Sequence, residues 1–491
     1  MLIKFEGRIV QFGFGAVGKS FYEKLPQELQ FNENNYYVIT REEIELIAYV
    51  NLGGIVANFI TAEITRDNFK EIFGTYLREG DLLIDFADTV GTRDICEWCA
   101  KENIMYINTG EADWPDHWYS IFEEHDKKID LKNIFATNQD KNKYPIVLHH
   151  GNNPGLVSHF VRAALGYIVT TQFKRDKELK RLLKEQRFNH IACYLGLRQI
   201  HVSDIDLQKV RGSFDEKLLV NTWCTDSFWF EMLSEATLDV GTFEEVDFED
   251  QCNMYHKEKG YMEFKALAVD KRCATYYPEG VFEGHLVPHE ETISIAKSLE
   301  VSQDGRVIYR PSVAFIYKPC DYASEFLKKS KVNEYPNPDP SRPIDCENEK
   351  GISIVRGYIY PENVEMLYED KIESGTEYVG VFLMGERFDP VWVGNRIELP
   401  FLSKGKSNHQ WQTPTITPVA MSALSAVCWM LKNKDKGGIY FPEEIPDYKG
   451  IIKTAEKYIS KTIYKTFTKD DVERELKVNF ENLQVKDIFR S

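Results

Sequence analysis

Three glycines carry the first recognisable chemistry in this chain. Gly13, Gly15 and Gly18 close the run Gly7-Arg8-Ile9-Val10-Gln11-Phe12-Gly13-Phe14-Gly15-Ala16-Val17-Gly18. A short β-rich stretch precedes them, and Lys19-Ser20-Phe21-Tyr22-Glu23-Lys24-Leu25 reads as a helix. In a strand–turn–helix each glycine has a separate role. Gly13 makes the tight turn, Gly15 admits a pyrophosphate to the backbone, and Gly18 lets the helix lie close to the strand. The free N–H groups and the dipole of the helix N-terminus favour the anion. Gly13, Phe14, Gly15, Ala16, Val17 and Gly18 are therefore read as a dinucleotide cradle. Glu42 and Glu43 follow the second strand, Tyr36-Tyr37-Val38-Ile39-Thr40, where a ribose 2′-OH would be held. They favour NAD, while the neighbouring Arg41 keeps NADP open.

Other reactive side chains fall at expected strand ends. Asp88 follows a strand at 81–87, Thr109 and Glu111 close one at 104–110, and Asn152-Asn153-Pro154-Gly155 follows one at 146–151. Ligands of open parallel sheets lie beyond the carboxyl ends of the strands, so these groups should border one crevice. Further along, Asp204, Asp206, Trp223, Asp226, Glu231, His285 and His289 stand in a β-rich region. His285 and His289 have metal-pair spacing, but Pro288 interrupts a helix between them and no third ligand is apparent, so no metal is expected.

The elements that must position these residues follow from the pattern. Residues 1–155 alternate strands and helices, the signature of a Rossmann-type parallel sheet in an α/β fold. Residues 156–410 begin with a helix at 156–171 and a charged helix or linker at 174–188, then turn β-rich. Strands are expected at 191–197, 200–202, 307–317, 352–360 and 376–384, giving an α+β substrate and dimerisation domain. Residues 411–491 open with an apolar helix at 419–432, ended by Gly437-Gly438, that should return to cover the nucleotide domain. A small helical extension completes the chain.

Composition narrows the function. A chain of 491 residues exceeds what one core organises, so two or three domains are expected. A net charge of −17 argues against a nucleic-acid partner and is compatible with a cationic substrate. No apolar run approaches the roughly 18 residues of a membrane span, and no signal peptide is read, so the cytoplasm is expected. Nine scattered cysteines fit reduced thiols, and the Cys96-Glu97-Trp98-Cys99 pair reads as structural.

Several blocks, in order, resemble the bacterial homospermidine synthases, relatives of the saccharopine dehydrogenase group. They are Gly13–Gly18, His150-Gly151-Asn152-Asn153-Pro154-Gly155-Leu156-Val157-Ser158, His201-Val202-Ser203-Asp204, Val220-Asn221-Thr222-Trp223 with Glu231 beyond it, Gly284-His285-Leu286-Val287-Pro288-His289-Glu290-Glu291, and Tyr309-Arg310-Pro311-Ser312. The resemblance implies a tightly held NAD, putrescine as substrate and a homodimer. One putrescine would be oxidised to an imine, a second would displace ammonia, and the stored hydride would reduce the new imine to homospermidine. It assigns Asp88, Glu111, Asp204, Trp223 and Glu231 to the substrate, and Asp88, Thr109, Asn153 and Pro154 to the cofactor. Glu231, Trp223, Asn153, Asp204 and His289 would serve the chemistry: Glu231 as anchor or base, Trp223 as a cation–π face, His289 as a proton carrier. Asp204 stands where the family carries Glu, one methylene shorter. Two other readings remain open: a saccharopine- or carboxynorspermidine-type dehydrogenase acting on an amino-acid imine, and a non-catalytic nucleotide-sensing scaffold.

Overall fold

The computed structural model describes residues 2–87, 90–110, 112–114, 120–136, 141–212, 218–245, 249–332, 346–347, 353–367, 371–398 and 411–490. Two large sheets organise them. The first is parallel and seven-stranded, in the order Gly438–Tyr440, Pro145–Val147, Met105–Asn108, Leu82–Asp85, Ile9–Phe12, Tyr36–Thr40, Phe59–Thr61. Its central strands are buried throughout, as befits a sheet covered on both faces. The edge strand Gly438–Tyr440 comes from far along the chain, after the glycine stop. At three residues it is too short for an apolar pattern to announce it.

The second sheet has eleven strands. Its main path runs Cys252–His256, Tyr261–Leu267, Glu235–Asp239, Ser312–Lys318, Leu197–Asp206, Thr376–Gly385, Val391–Glu398, Ile463–Thr466. Leu197–Asp206 pairs parallel with Ser312–Lys318 and antiparallel with Thr376–Gly385. The expected strand at 191–197 is corrected: Phe188–Leu195 is a helix that buries Ile191, Ala192 and Leu195 on one side. Gly196 ends it in the left-handed region at φ 61°, and the strand starts only at Leu197. A short apolar run suits either element, and here helical spacing decided.

The helix Ile416–Lys432 is buried along almost its whole length. It packs on the helix Ala16–Lys24 and on the strands Met105–Asn108 and Pro145–Val147. Gln412 fastens its start, accepting from Ser20 Oγ at 3.2 Å and donating to Glu23 at 3.0 Å. The chain's last stretch forms the helices Tyr448–Ala455 and Lys469–Leu476. It also lends Ile463–Thr466 and Phe489–Arg490 to the large sheet, so it is stitched into the fold. Among the described residues no helix is long and apolar enough to cross a membrane.

Candidate active site

The glycine turn has the geometry its spacing demands. Gly13 adopts φ +88°, and a Cβ there would lie 3.0 Å from the Phe86 backbone. A Cβ on Gly18 would meet Gln11 Nε2 and the Gly13 carbonyl at 2.5 Å. At Gly15 a Cβ would meet nothing within 4 Å, so this edge of the turn is open. The helix Ala16–Lys24 starts there without a side-chain cap, and its first backbone bond runs from Lys19 N to Gly15 O. Uncapped amides beside open space suit a pyrophosphate. Phe14 points the other way, into a cluster with Tyr22, Tyr49 and Phe59, leaving only its backbone for a ligand. Glu42 and Glu43 are exposed just past Tyr36–Thr40, with Arg41 Nε 3.2 Å from Glu42. Asp88 and Glu111 lie outside the described residues.

Asn153 carries the connection between the two sheets. It sits in the turn after Pro145–Val147, with Thr109 on the neighbouring strand end, and Asn153 Nδ2 donates to Asp204 Oδ2 at 2.8 Å. Asp204 lies on Leu197–Asp206, opposite Tyr317 on one side and Val379 on the other. Tyr317 in turn accepts from Trp223 Nε1 at 3.0 Å, which brings the indole, half-buried, to the same place.

Glu231 and His289 reach this cluster from two helices. Glu231 belongs to Thr225–Leu233, and His289 caps Glu290–Ser298. His289 Nε2 is 3.8 Å from Glu231, while Nδ1 is 2.7 Å from Glu291. Its ring stacks on Phe315 at 4.0 Å, which fixes its plane. Burial alone would lower the His289 pKa, but Glu291, Glu231 and Glu290 outweigh it and push it up to about 10. Burial raises Glu231 to about 7, with His289 opposing and Asp204, Glu290 and Glu291 adding to the rise. His289, Glu290 and Glu291 each place one atom within 4.8 Å of the others, close enough for a cation. His285 is elsewhere, buried beside Arg272 and the 268–269 backbone, so the two histidines do not form a pair.

Asp206 and one acid that spacing did not single out, Glu377, complete the cluster. Asp206 accepts from Thr222 Oγ1 at 2.7 Å and from Gln208. Glu377, on the partner strand opposite Asp206, is 1% exposed and lies diagonally across from Asp204. Its signal in the sequence was a lone acid in an otherwise apolar strand, Thr376–Gly385.

Residues 9–143 match the sequence model of the saccharopine dehydrogenase NADP binding domain. A homospermidine synthase of Mesorhizobium japonicum is 24% identical over 464 residues, covering 92% of this chain and 89% of that protein. Over nine-tenths of its length, this chain is similar to homospermidine synthases. That of Blastochloris viridis is also 24% identical, over 88% of this chain and 86% of its own. The crystal structure of the Legionella pneumophila homospermidine synthase in complex with NAD aligns with a TM-score of 0.78 at 24% identity, covering 95% and 92% of the two chains. The two-sheet architecture described above is thus a known fold.

Proposed function

We propose that this protein is a homospermidine synthase, which joins two putrescines into homospermidine with loss of one ammonia. The observation that carries the proposal is the cluster of buried Asp204 with partly buried Glu231 and His289, Trp223 beside it, tied by Asn153 to the crevice of the nucleotide sheet. NAD fits the open glycine turn, and Glu42 and Glu43 stand where its ribose hydroxyls would be held. When bound, NAD accepts a hydride from the amine-bearing carbon and later returns it, so the overall reaction needs no outside oxidant.

The chain's own groups meet the remaining demands. A diamine is cationic at both ends near neutral pH, and only a neutral amine gives up hydride. Glu231, held near 7, is poised to take a proton from the reacting ammonium. His289, held protonated by three carboxylates, is poised to supply one as ammonia leaves. The Trp223 face and the remaining acids hold the distal ammonium, a cation–π contact being worth about 1–2 kcal/mol when water is excluded.

Incubation with NAD and putrescine alone tests this reading. A synthase forms homospermidine and ammonium in equal amounts without net NADH, read by mass spectrometry and an ammonium assay. A dehydrogenase of the saccharopine type forms neither. Its substrate also carries a carboxylate, which the acids of this cluster would repel.

A further inference from the structure

Asp204, Asp206 and Glu377 lie on one face of the large sheet. Glu377 is opposite Asp206, and Asp204 is opposite Val379, two residues on, so strand alternation puts all three side chains on the same side. The three acids are served very differently. Asp206 has Thr222 and Gln208 as donors. Asp204 Oδ1 and Glu377 Oε2, both buried, receive no hydrogen bond from any N–H or hydroxyl among the described residues. As diagonal neighbours across one strand pair, Asp204 and Glu377 are placed for a bond between these oxygens. Two carboxylates are both acceptors, so such a bond requires a proton on one of them.

We propose that Asp204 and Glu377 form one unit: it holds a single shared proton in the free protein and releases it when a substrate ammonium takes its place between the two carboxyls. The inference rests on the diamine reading above and adds Glu377 to it. An ammonium offers three N–H donors, enough for both undersupplied oxygens, and the displaced proton leaves to solvent, so charge and protons balance. The neighbouring groups favour retention of that proton until a cation arrives. Asp206 on the same strand, Tyr317 on the next and Glu231 from its helix add negative or neutral surroundings, while His289 is the cation facing Asp204. Burial pushes both Asp204 and Glu377 above the ordinary carboxyl range. Asn153, on the other oxygen of Asp204, keeps the pair at the nucleotide crevice.

The test is calorimetric titration of putrescine into NADH-loaded protein, which cannot oxidise the amine, in two buffers of different ionisation enthalpy at pH 7. The wild type should release protons on binding, and Glu377→Gln about one fewer. The slope of log affinity against pH should likewise fall by about one in the variant. Equal proton counts for the two proteins overturn the proposal. So does putrescine binding to the wild type with no net release, a result that does not depend on the variant folding. If homospermidine is formed while the counts are equal, only the pair is refuted. If putrescine neither binds nor reacts, the diamine reading falls and the pair with it.

Discussion

Replacing Gly15 by alanine should separate cofactor binding from folding. The residue sits at φ −67° and ψ −162°, a conformation open to any L-amino acid, and the new methyl would meet no atom within 4 Å. Nothing in the fold opposes it. Reduced freedom of the unfolded chain should even stabilise the protein by about 0.4–1 kcal/mol. The methyl does, however, occupy the approach to the uncapped helix amides. Hydrogen bonds to a charged group contribute about 1.5–3 kcal/mol each, so displacing a pyrophosphate from two of them costs about 3–6 kcal/mol, or roughly two to four decades in Kd. At a hundredfold excess over Kd, NAD stabilises the wild type by about 2.7 kcal/mol. Denaturant unfolding with and without NAD is the assay. The free variant should unfold at or slightly above the wild-type midpoint and show no shift with NAD. Gly18→Ala gives the contrast, because its methyl would press on Gln11 and Gly13 at 2.5 Å and cost about 1–3 kcal/mol of stability even without ligand. A Gly15→Ala protein that binds NAD as tightly as wild type would refute the placement of the pyrophosphate.

Trp223→Ala should raise the KM for putrescine about tenfold, the loss of a partly desolvated cation–π face; an unchanged KM in steady-state assays would remove the indole from the site. Glu231→Gln should lower kcat by about 10²–10⁴ with the fold retained, as loss of an acid–base group does. Because the Glu231 carboxyl is held up to about 7, it becomes neutral as pH falls below that value and loses its attraction for an ammonium. The wild-type KM should therefore climb more steeply below pH 7 than that of Glu231→Gln, which keeps only the dependence contributed by the Asp204–Glu377 pair, a comparison read from KM profiles between pH 5.5 and 8.5. Glu42→Ala combined with Glu43→Ala should weaken NAD more than NADP in equilibrium titrations, and equal losses would count against the ribose contact.

What the sequence revealed and what it hid have separate physical causes. The nucleotide turn was legible because its requirements are local: three glycines, a strand before them and a helix after. The strands Leu82–Asp85 and Met105–Asn108 were legible as apolar runs. The Phe188–Leu195 helix was misread because its apolar residues are too few to fix a period, although Gly196 carried the stop signal. Glu377 could not be placed beside Asp204 from spacing, since only the antiparallel pairing of two distant strands brings them together. The same holds for Trp223 and Tyr317, joined across separate elements. Motif resemblance found the indole but not its hydroxyl partner.

The charges of the cluster argue for its guest. Asp204, Asp206, Glu231, Glu290, Glu291 and Glu377 converge, and among the described residues the cations beside them are His289 and, behind Glu290, Lys128, which burial holds down to about 7. Two like charges 4 Å apart repel by about 4 kcal/mol at the effective dielectric of a protein site. Carboxylates confined in this way lower that cost either by keeping protons or by receiving cations. Burial pushes Asp204, Glu231, Glu290 and Glu377 above the ordinary carboxyl range, which favours the first solution in the free protein. A diamine, the substrate proposed above, would provide the second, with one ammonium for the Asp204–Glu377 pair and one for the acids around His289. A monoamine would answer only half of the excess charge, and an amino acid would add a carboxylate to it. On the reading proposed above, the cluster would select for two separated positive charges before any chemistry begins, and the proton that the reacting ammonium must lose would pass to Glu231.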